Sequence, residues 1–554
     1  MRNERWALRL LTAVLVGWVW WTYAPALHHW PWGSDALKWL QRSDPARTGW
    51  TDWVFHSRHF IGWRPVTALS FAANGLWGVT PERVHGVDFA TVGATIALIA
   101  AVGLEVFRSD RDDRSAYLAA GVAAALVALH PVLQEILPYV ARRSYGLGSL
   151  FGLAGLWIWL IGLRRDGPRW VSPAVVVATA LLALSCGSNE ASFPIVAALP
   201  LFAWHRLAPT DGPTALRALR PAALPLAQAA WLAWGRSRVL ADDFSTGYVK
   251  KYFAYASDGH NRLRQLDAFS PHEVVRAAWS YGLFPSSGTG DGALWTTLLG
   301  GVVAGAVVAW VCAAFWVWPA RGWRDARART PLIFALWGLG TSALYGLANT
   351  WFWREGYPLW IPLALALAAA WRDGLATPGR RGITAVAAGL VALSIGWWSP
   401  AVRGWDQSPL SEEIHGTRIV NDLVAGMAEL PPYAHIWLIV PGDDDFADEV
   451  ETWAQRLRTP STLRFKVLGY APRSSAGPDD AEIAWVRETA DGPMLTLHPQ
   501  GAWDDGARTS QHLSTLGPVP LQRLHPGGER RAWVWWWGGP GWDQRRTAPV
   551  PKAP

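Results

Sequence analysis

Between residues 10 and 399 the sequence returns repeatedly to apolar stretches near twenty residues long. They run at about 10–27, 86–106, 115–130, 144–163, 171–189, 191–205, 221–235, 292–319, 331–352, 357–371 and 382–399. In hydrocarbon, every backbone N–H and C=O must be satisfied within the spanning segment. A run of this length and polarity therefore folds as a helix that crosses the bilayer. Eleven such runs predict an α-helical polytopic membrane protein.

The arginines agree with this reading. Arg2, Arg5 and Arg9 precede the first run, and Arg108, Arg111 and Arg114 follow the second. Arg164, Arg165 and Arg169 follow the fourth, and Arg206, Arg217 and Arg220 the sixth. Arg321, Arg324, Arg327 and Arg329 follow the eighth, and Arg372, Arg380 and Arg381 the tenth. Every alternate connection is basic, which is the positive-inside pattern with a cytoplasmic N-terminus. The net charge of +7 thus has a topological purpose, and nucleic acid is not expected as a partner. Forty tryptophans suit the two aromatic belts of a membrane protein. The N-terminal run follows a basic start but precedes no convincing small-residue cleavage site, so it reads as an uncleaved first helix. Lysine occurs only at residues 38, 250, 251, 466 and 552; such Arg-rich, Lys-poor usage suggests a GC-rich bacterial genome and an inner-membrane location.

The remaining connections then lie outside, two of them large, at about 28–84 and 236–291. Residues 1–401 form the membrane domain. Residues 402–540 change character: helical periodicity around 412–430 gives way to strand-like "HIWLIV", "RFKVLGY", "IAWVRE", "MLTLH" and "RAWVWWW". A small α/β or α+β exterior domain is expected there, followed by a Pro-rich tail at 541–554.

Several charged or polar groups near the bilayer are left over once the basic connections are set aside, and all fall on the exterior side. Asp35 follows the first run, and Arg64 lies in the same loop. His130, Glu135, Arg142 and Arg143 join the third run to the fourth. Asn189 and Glu190 follow the fifth, and Arg354, Glu355 and Tyr357 the ninth. Ionisable groups packed against a bilayer mark sites more often than turns do. Carboxylates together with guanidiniums suit sugar transfer from a lipid-linked phosphate. A carboxylate takes the proton of the acceptor hydroxyl, and bidentate arginines hold the departing phosphate.

Four segments resemble the membrane part of the O-mannosyltransferases that carry tetratricopeptide repeats. "GWRPVTALSFAANGLWGVTPERVHGVD" is similar to their R-P-[LV]-T-x-L-S-F-x-x-N run, and "LHPVLQEILPYVARRSYGLGSLF" to their L-H-P-[VL]-x-x-E stretch. "LSCGSNEASFPIVAALPLF" and "WREGYPLWIPLALALA" resemble their S-K-E and R-Y-x-Y-x-P segments. The resemblance implies a GT-C fold, a polyprenyl-phosphate sugar donor, a protein or glycan acceptor, and a site facing outside. Asp35 lies where the family keeps its acid; with Glu135 from another connection it is the catalytic candidate, and the arginine chemistry puts Arg142, Arg143 and Arg354 on the donor phosphate. Arg64, His130, Asn189, Glu190 and Tyr357 stand as further site candidates. The chain departs from the family at Ser34, where those relatives have a second acid, and at Asn189, where they have lysine; Arg142, Arg143 or Arg354 are expected to compensate. The resemblance does not extend to the C-terminal domain.

No zinc-ligand spacing, Gly-rich phosphate loop or Ser-His-Asp elbow occurs. The acidic run Asp443, Asp444 and Asp445 reads as a loop opening a helix. No cofactor is required, and a divalent metal is left open. Two rival classes remain: a degenerate relative that binds a lipid-linked saccharide without transferring it, and a transporter or flippase. Transporters place charges near the midplane, whereas these gather at one interface.

Overall fold

The computed structural model describes residues 2–31, 36, 39–40, 63–108, 114–211, 215–243, 326–348, 356–376 and 417. It also describes the strands 435–441, 464–470, 484–489, 492–497, 519–520, 522–524 and 532–537. The chain divides into two compact units. One comprises Met1–His28 with Trp39–Pro409, the other His29–Lys38 with Leu410–Pro554.

The first unit is helical. Its helices are α1 (Arg2–Tyr23), α2 (Pro65–Trp77), α3 (Pro81–Phe107), α4 (Arg114–Ala128), α5 (Arg143–Asp166) and α6 (Pro173–Ser188). They continue as α7 (Phe193–Ala197), α8 (Leu199–Asp211), α9 (Ala215–Leu219), α10 (Ala223–Asp243), α11 (Ala326–Ala348) and α12 (Gly356–Ala376). Among the described residues, three helical segments are long and apolar enough to cross a membrane: Asn3–His28, Pro81–Phe107 and Val140–Asp166. Arg114–Ala128 and Pro173–Ser188 are shorter apolar helices. The expected runs at 292–319 and 382–399 lie outside the described residues.

Helix starts follow capping chemistry. Thr80 accepts a hydrogen bond from the Arg83 N–H ahead of Pro81, and Ser172 accepts one from the Val175 N–H ahead of Pro173. A side-chain oxygen at the cap and a proline just inside are both favoured there. Gly167 ends α5 with φ 72°, a left-handed value that costs glycine little. The run expected as one helix over 191–205 is broken. It forms a 3-10 turn at Glu190–Ser192, then α7, then α8. Pro194 and Pro200 lack the N–H donors that a continuous helix requires. Conversely, α2 lies within the expected first loop.

Packing centres on α3 and α5. The pairs α5–α6, α3–α5, α3–α4 and α11–α12 are the principal helix pairings, and α12 also packs on α4. Glycines let α5 approach α6 closely. A Cβ on Gly155 would stand 2.8 Å from Leu182 Cγ and 3.1 Å from the Ala178 carbonyl, and one on Gly162 would overlap Ala174. Small residues serve this purpose between membrane helices, where van der Waals contact drives association. Gly155→Ala is therefore expected to destabilise the unit by about 1–3 kcal/mol through overpacking, read as a lowered unfolding midpoint in detergent. Two buried indoles find acceptors: Trp159 Nε1 donates to the Pro221 carbonyl and Trp360 Nε1 to the Leu126 carbonyl, both at 2.9 Å. Such partners let a large aromatic ring be buried without an orphan donor.

The second unit carries two sheets. The first, in order β2-β1-β7-β6, contains β1 (His435–Pro441), β2 (Arg464–Tyr470), β6 (Gln522–Leu524) and β7 (Ala532–Trp537). β1 runs parallel to β2 with Leu438 opposite Val467, and antiparallel to β7 with Trp437 opposite Trp535. The second sheet joins β3 (Ala484–Thr489), β4 (Gly492–Leu497) and β5 (Val519–Pro520), all antiparallel. Among the described residues, the five strand-like stretches of the sequence overlap β1, β2, β3, β4 and β7. Within this unit the Trp30 N–H donates to Thr417 Oγ1 at 2.8 Å.

Candidate functional site

Charged side chains in the helical unit sort to two ends. Around the C-terminus of α3, Glu105 accepts from Arg164 at 2.9 Å and from Arg206 at 3.0 Å. Arg372 donates to the Phe107 carbonyl and to Ser115 Oγ. Arginines from three separate basic connections thus converge on one end of the bundle. Cations there also meet the negative end of the α3 dipole.

The opposite end holds most of the candidate residues. Arg64 stands just before α2, Arg143 opens α5, Asn189 and Glu190 follow α6, and Arg236 lies on α10. Glu190 accepts a forked contact from Arg64, with Nη2 on Oε1 at 2.7 Å and Nε on Oε2 at 3.1 Å. Arg236 Nη2 reaches the same Oε2 at 3.1 Å. Burial would raise the Glu190 carboxyl pKa, but Arg236 and Arg64 outweigh it and hold the group well below the usual carboxylate range. Glu190 is therefore an anion at neutral pH and a poor proton acceptor. Arg64 Nη1 also donates to Ser144 Oγ at 3.3 Å, and its guanidinium lies 6.0 Å from the centre of the Tyr145 ring.

Asn189 is buried with both ends of its amide engaged. Its Nδ2 donates to Ser144 Oγ at 3.1 Å, and its Oδ1 accepts from the Ala191 N–H at 2.9 Å. The side chain caps the 3-10 turn, as a short amide does well.

Arg143 departs from the role expected of it. Its Nε donates to Asp88 Oδ1 at 2.8 Å, and its Nη2 to Asp88 Oδ2 at 3.3 Å and the Val84 carbonyl at 2.8 Å. Its Nη1 meets Asn74 Oδ1 and, at 3.5 Å, the Ser70 carbonyl. A guanidinium has five N–H donors, and these partners occupy them all. The group also sits 4.2 Å over the Phe71 ring and is 1% exposed. Arg143 ties α5 to α2 and α3 and has no donor left for a phosphate. His130 likewise serves the fold. Its Nδ1 accepts from the Val132 N–H at 3.0 Å, and its ring lies 4.2 Å from that of Trp360.

Glu135 ends the 3-10 turn Pro131–Glu135 and Arg142 ends the turn Val140–Arg142; both are half-buried. Tyr357 is fully buried at the start of α12. Asp35, Arg354 and Glu355 lie outside the described residues, as do Asp44 and Asp52, two further acids of the first loop and weaker candidates for the base.

A small pocket of ≈ 20 Å³ lies beside the ion-pair cluster. Tyr145 of α5, Asn189 and Ser192 of the turn, Ile195 of α7, Trp337 of α11 and Ile361 of α12 line it. Its walls are mainly apolar, and Tyr145 and Asn189 bring it to the arginine end. Among the described residues, no group of three or more His, Cys, Asp or Glu side chains is placed to hold a metal ion.

Sequence reasoning misses three residues of these clusters. Asp88 and Glu105 disappear into an apolar run, although acids inside a span are themselves a signal. Arg236 adjoins the end of the 221–235 run and escapes notice for the same reason.

Membrane-length apolar helices with charges sorted to both ends make this an integral membrane protein. No family model and no curated protein matches the chain. Among solved structures it is similar to the Archaeoglobus fulgidus oligosaccharyltransferase in the apo form, at 13% identity and a TM-score of 0.42, over 76% of this chain and 58% of that one. It is also similar to the oligosaccharyltransferase AglB of that organism in complex with an inhibitory peptide and a dolichol-phosphate. There the identity is 12% and the TM-score 0.44, over 83% of this chain and 65% of that one. A third similarity is to the same organism's enzyme in complex with Zn and sulfate, at 15% identity and a TM-score of 0.43, over 82% of this chain and 57% of that one. The chain thus spans less than two thirds of the length of each of these structures.

Proposed function

We propose that this protein is an integral-membrane glycosyltransferase of the GT-C type. It moves a sugar from a polyprenyl-phosphate donor to an envelope or protein acceptor on the exterior face. The observation that supports this reading is the gathering of Arg64, Arg236 and Glu190 at one end of a bundle of apolar helices. A lipid-linked phosphate needs that pairing: apolar helices for the isoprenoid and guanidiniums for the phosphate. In this reading the bundle lies in a bacterial inner membrane, the N-terminus is cytoplasmic and the C-terminal unit is exterior.

Asp35 is the general base that takes the acceptor proton, and Glu135 orients the acceptor or the first loop. With Arg143 committed to Asp88, the donor phosphate falls to Arg142 and Arg354. The oxocarbenium-like transition state leaves the phosphate as a departing anion, so cations there stabilise charge as it develops.

Removing one charge-assisted hydrogen bond to the phosphate should weaken donor binding by about 1.5–3 kcal/mol. Polyprenyl-phosphate affinity measured for Arg142→Ala and Arg354→Ala in nanodiscs is expected to fall by that amount. Affinities equal to wild type in both variants would reject the assignment. A second reading, binding without transfer, is favoured by Asn189: the side chain at the position where the relatives carry lysine is spent on capping a turn. Donor binding without sugar transfer from any donor supplied would select it.

A further inference from the structure

Glu190 is the most open member of its own ion-pair cluster. Its side chain is 28% exposed, against 15% for Arg64 and 16% for Arg236. The carboxylate is thus the member of the three that solvent reaches best.

The parts around Glu190 are also held without it. Asn189 fixes the turn through its own side chain, and its carbonyl accepts from the Ser192 N–H at 3.2 Å. Arg236 Nη1 donates to the Trp63 carbonyl at 3.1 Å, and Arg64 Nη1 to Ser144 Oγ. Both guanidiniums would therefore keep their aim if the carboxylate left. The two oxygens of Glu190 mark a seat for a pair of acceptor oxygens, the same fork that phosphate takes from arginine. The pocket lies beside this seat: its lining residue Asn189 shares Ser144 Oγ with Arg64, and its Tyr145 ring lies 6.0 Å from the Arg64 guanidinium.

We infer that Glu190 is an exchangeable counter-ion. It occupies the Arg64–Arg236 seat when the site is empty and yields that seat to the phosphate of an incoming phosphate ester, swinging its carboxylate toward solvent. This deepens the proposed function and rests on it for the identity of the ester. Arg64 and Arg236 are then ligands of the donor phosphate. The resident carboxylate lets two guanidiniums be half-buried together while the site waits, and the donor must compete with it.

The experiment uses the full chain as wild type, Glu190→Gln, Arg236→Gln and the double variant. Each is titrated with inorganic phosphate by thermal unfolding in detergent, with chloride at equal ionic strength as control, and with a polyprenyl phosphate in nanodiscs. Removing the internal competitor should tighten polyprenyl-phosphate binding by about 10- to 100-fold in Glu190→Gln, and Arg236→Gln should weaken it by a similar factor. Inorganic phosphate should raise the unfolding midpoint of Glu190→Gln more than that of wild type, and the double variant should lose this gain. Should Glu190→Gln fail to fold, the weaker binding of Arg236→Gln still decides. A folded Glu190→Gln with no phosphate-specific gain and unchanged lipid affinity would overturn the inference and leave Glu190 as a structural latch. Wild-type binding of polyprenyl phosphate at one affinity across all variants would sink the seat but spare the proposed function. A phosphate response as expected, with no form binding polyprenyl phosphate, would keep the seat and sink the lipid-phosphate reading.

Discussion

Arg143→Ala is expected to destabilise the helical unit by about 3–5 kcal/mol, the usual cost of leaving one member of a buried ion pair alone. That cost comes from what the truncation leaves behind. Asp88 would keep a charge in a site it shares with the arginine, and Asn74 and the Val84 carbonyl would each lose a donor. Lysine at this position keeps the charge but not the planar fork, so Arg143→Lys should fall between alanine and wild type. Replacing both partners, as Asp88→Leu with Arg143→Met, should recover much of the stability, because neither charge then remains to be satisfied. Thermal unfolding in detergent, with the three variants beside wild type, reads all of this. A destabilisation under about 1 kcal/mol in Arg143→Ala, combined with weakened donor binding, would return Arg143 to the phosphate.

Asp35→Asn is expected to slow sugar transfer by about 10²–10⁴-fold, the usual contribution of a positioned general base. Asparagine keeps the size and much of the hydrogen bonding but cannot accept the proton. Donor affinity should therefore persist while turnover falls, an effect confined to the transition state. Glu190 cannot take over, because two arginines hold its carboxyl well below the usual range. Turnover is read as polyprenyl phosphate released per unit time in membranes carrying each variant. Near-native turnover in Asp35→Asn would move the base to Asp52 or Asp44.

Much of the helical unit is legible in the sequence because its signals are local. Proline just inside the starts of α3 and α6, with Thr80 and Ser172 as caps, announces both helices. The strands of the second unit are legible for a similar reason: runs such as "AWVWWW" and "RFKVLGY" combine β-branched and aromatic residues in short segments. Partnership is not local. Arg143 and Arg142 are adjacent and alike in sequence, yet it is the arrival of Asp88 and Val84 from α3 and of Asn74 and Ser70 from α2 that uses up the Arg143 guanidinium. Arg64 and Glu190, 126 residues apart, pose the same problem. A sequence shows how many charges reach one membrane face, whereas the fold decides which cancel one another. The break at Pro194 is visible in principle, but an apolar run with proline still reads as one segment when hydropathy is the guide.

The most direct test of the glycosyltransferase reading is transfer by the purified wild-type protein in nanodiscs. It would be supplied with tritiated hexoses on polyprenyl phosphate and with exterior membrane fractions as acceptor. A glycosyltransferase would give time-dependent release of polyprenyl phosphate with matching label in the acceptor, abolished or nearly so by Asp35→Asn. Bound donor that stays intact with every hexose, at rates equal to protein-free nanodiscs, would contradict that reading.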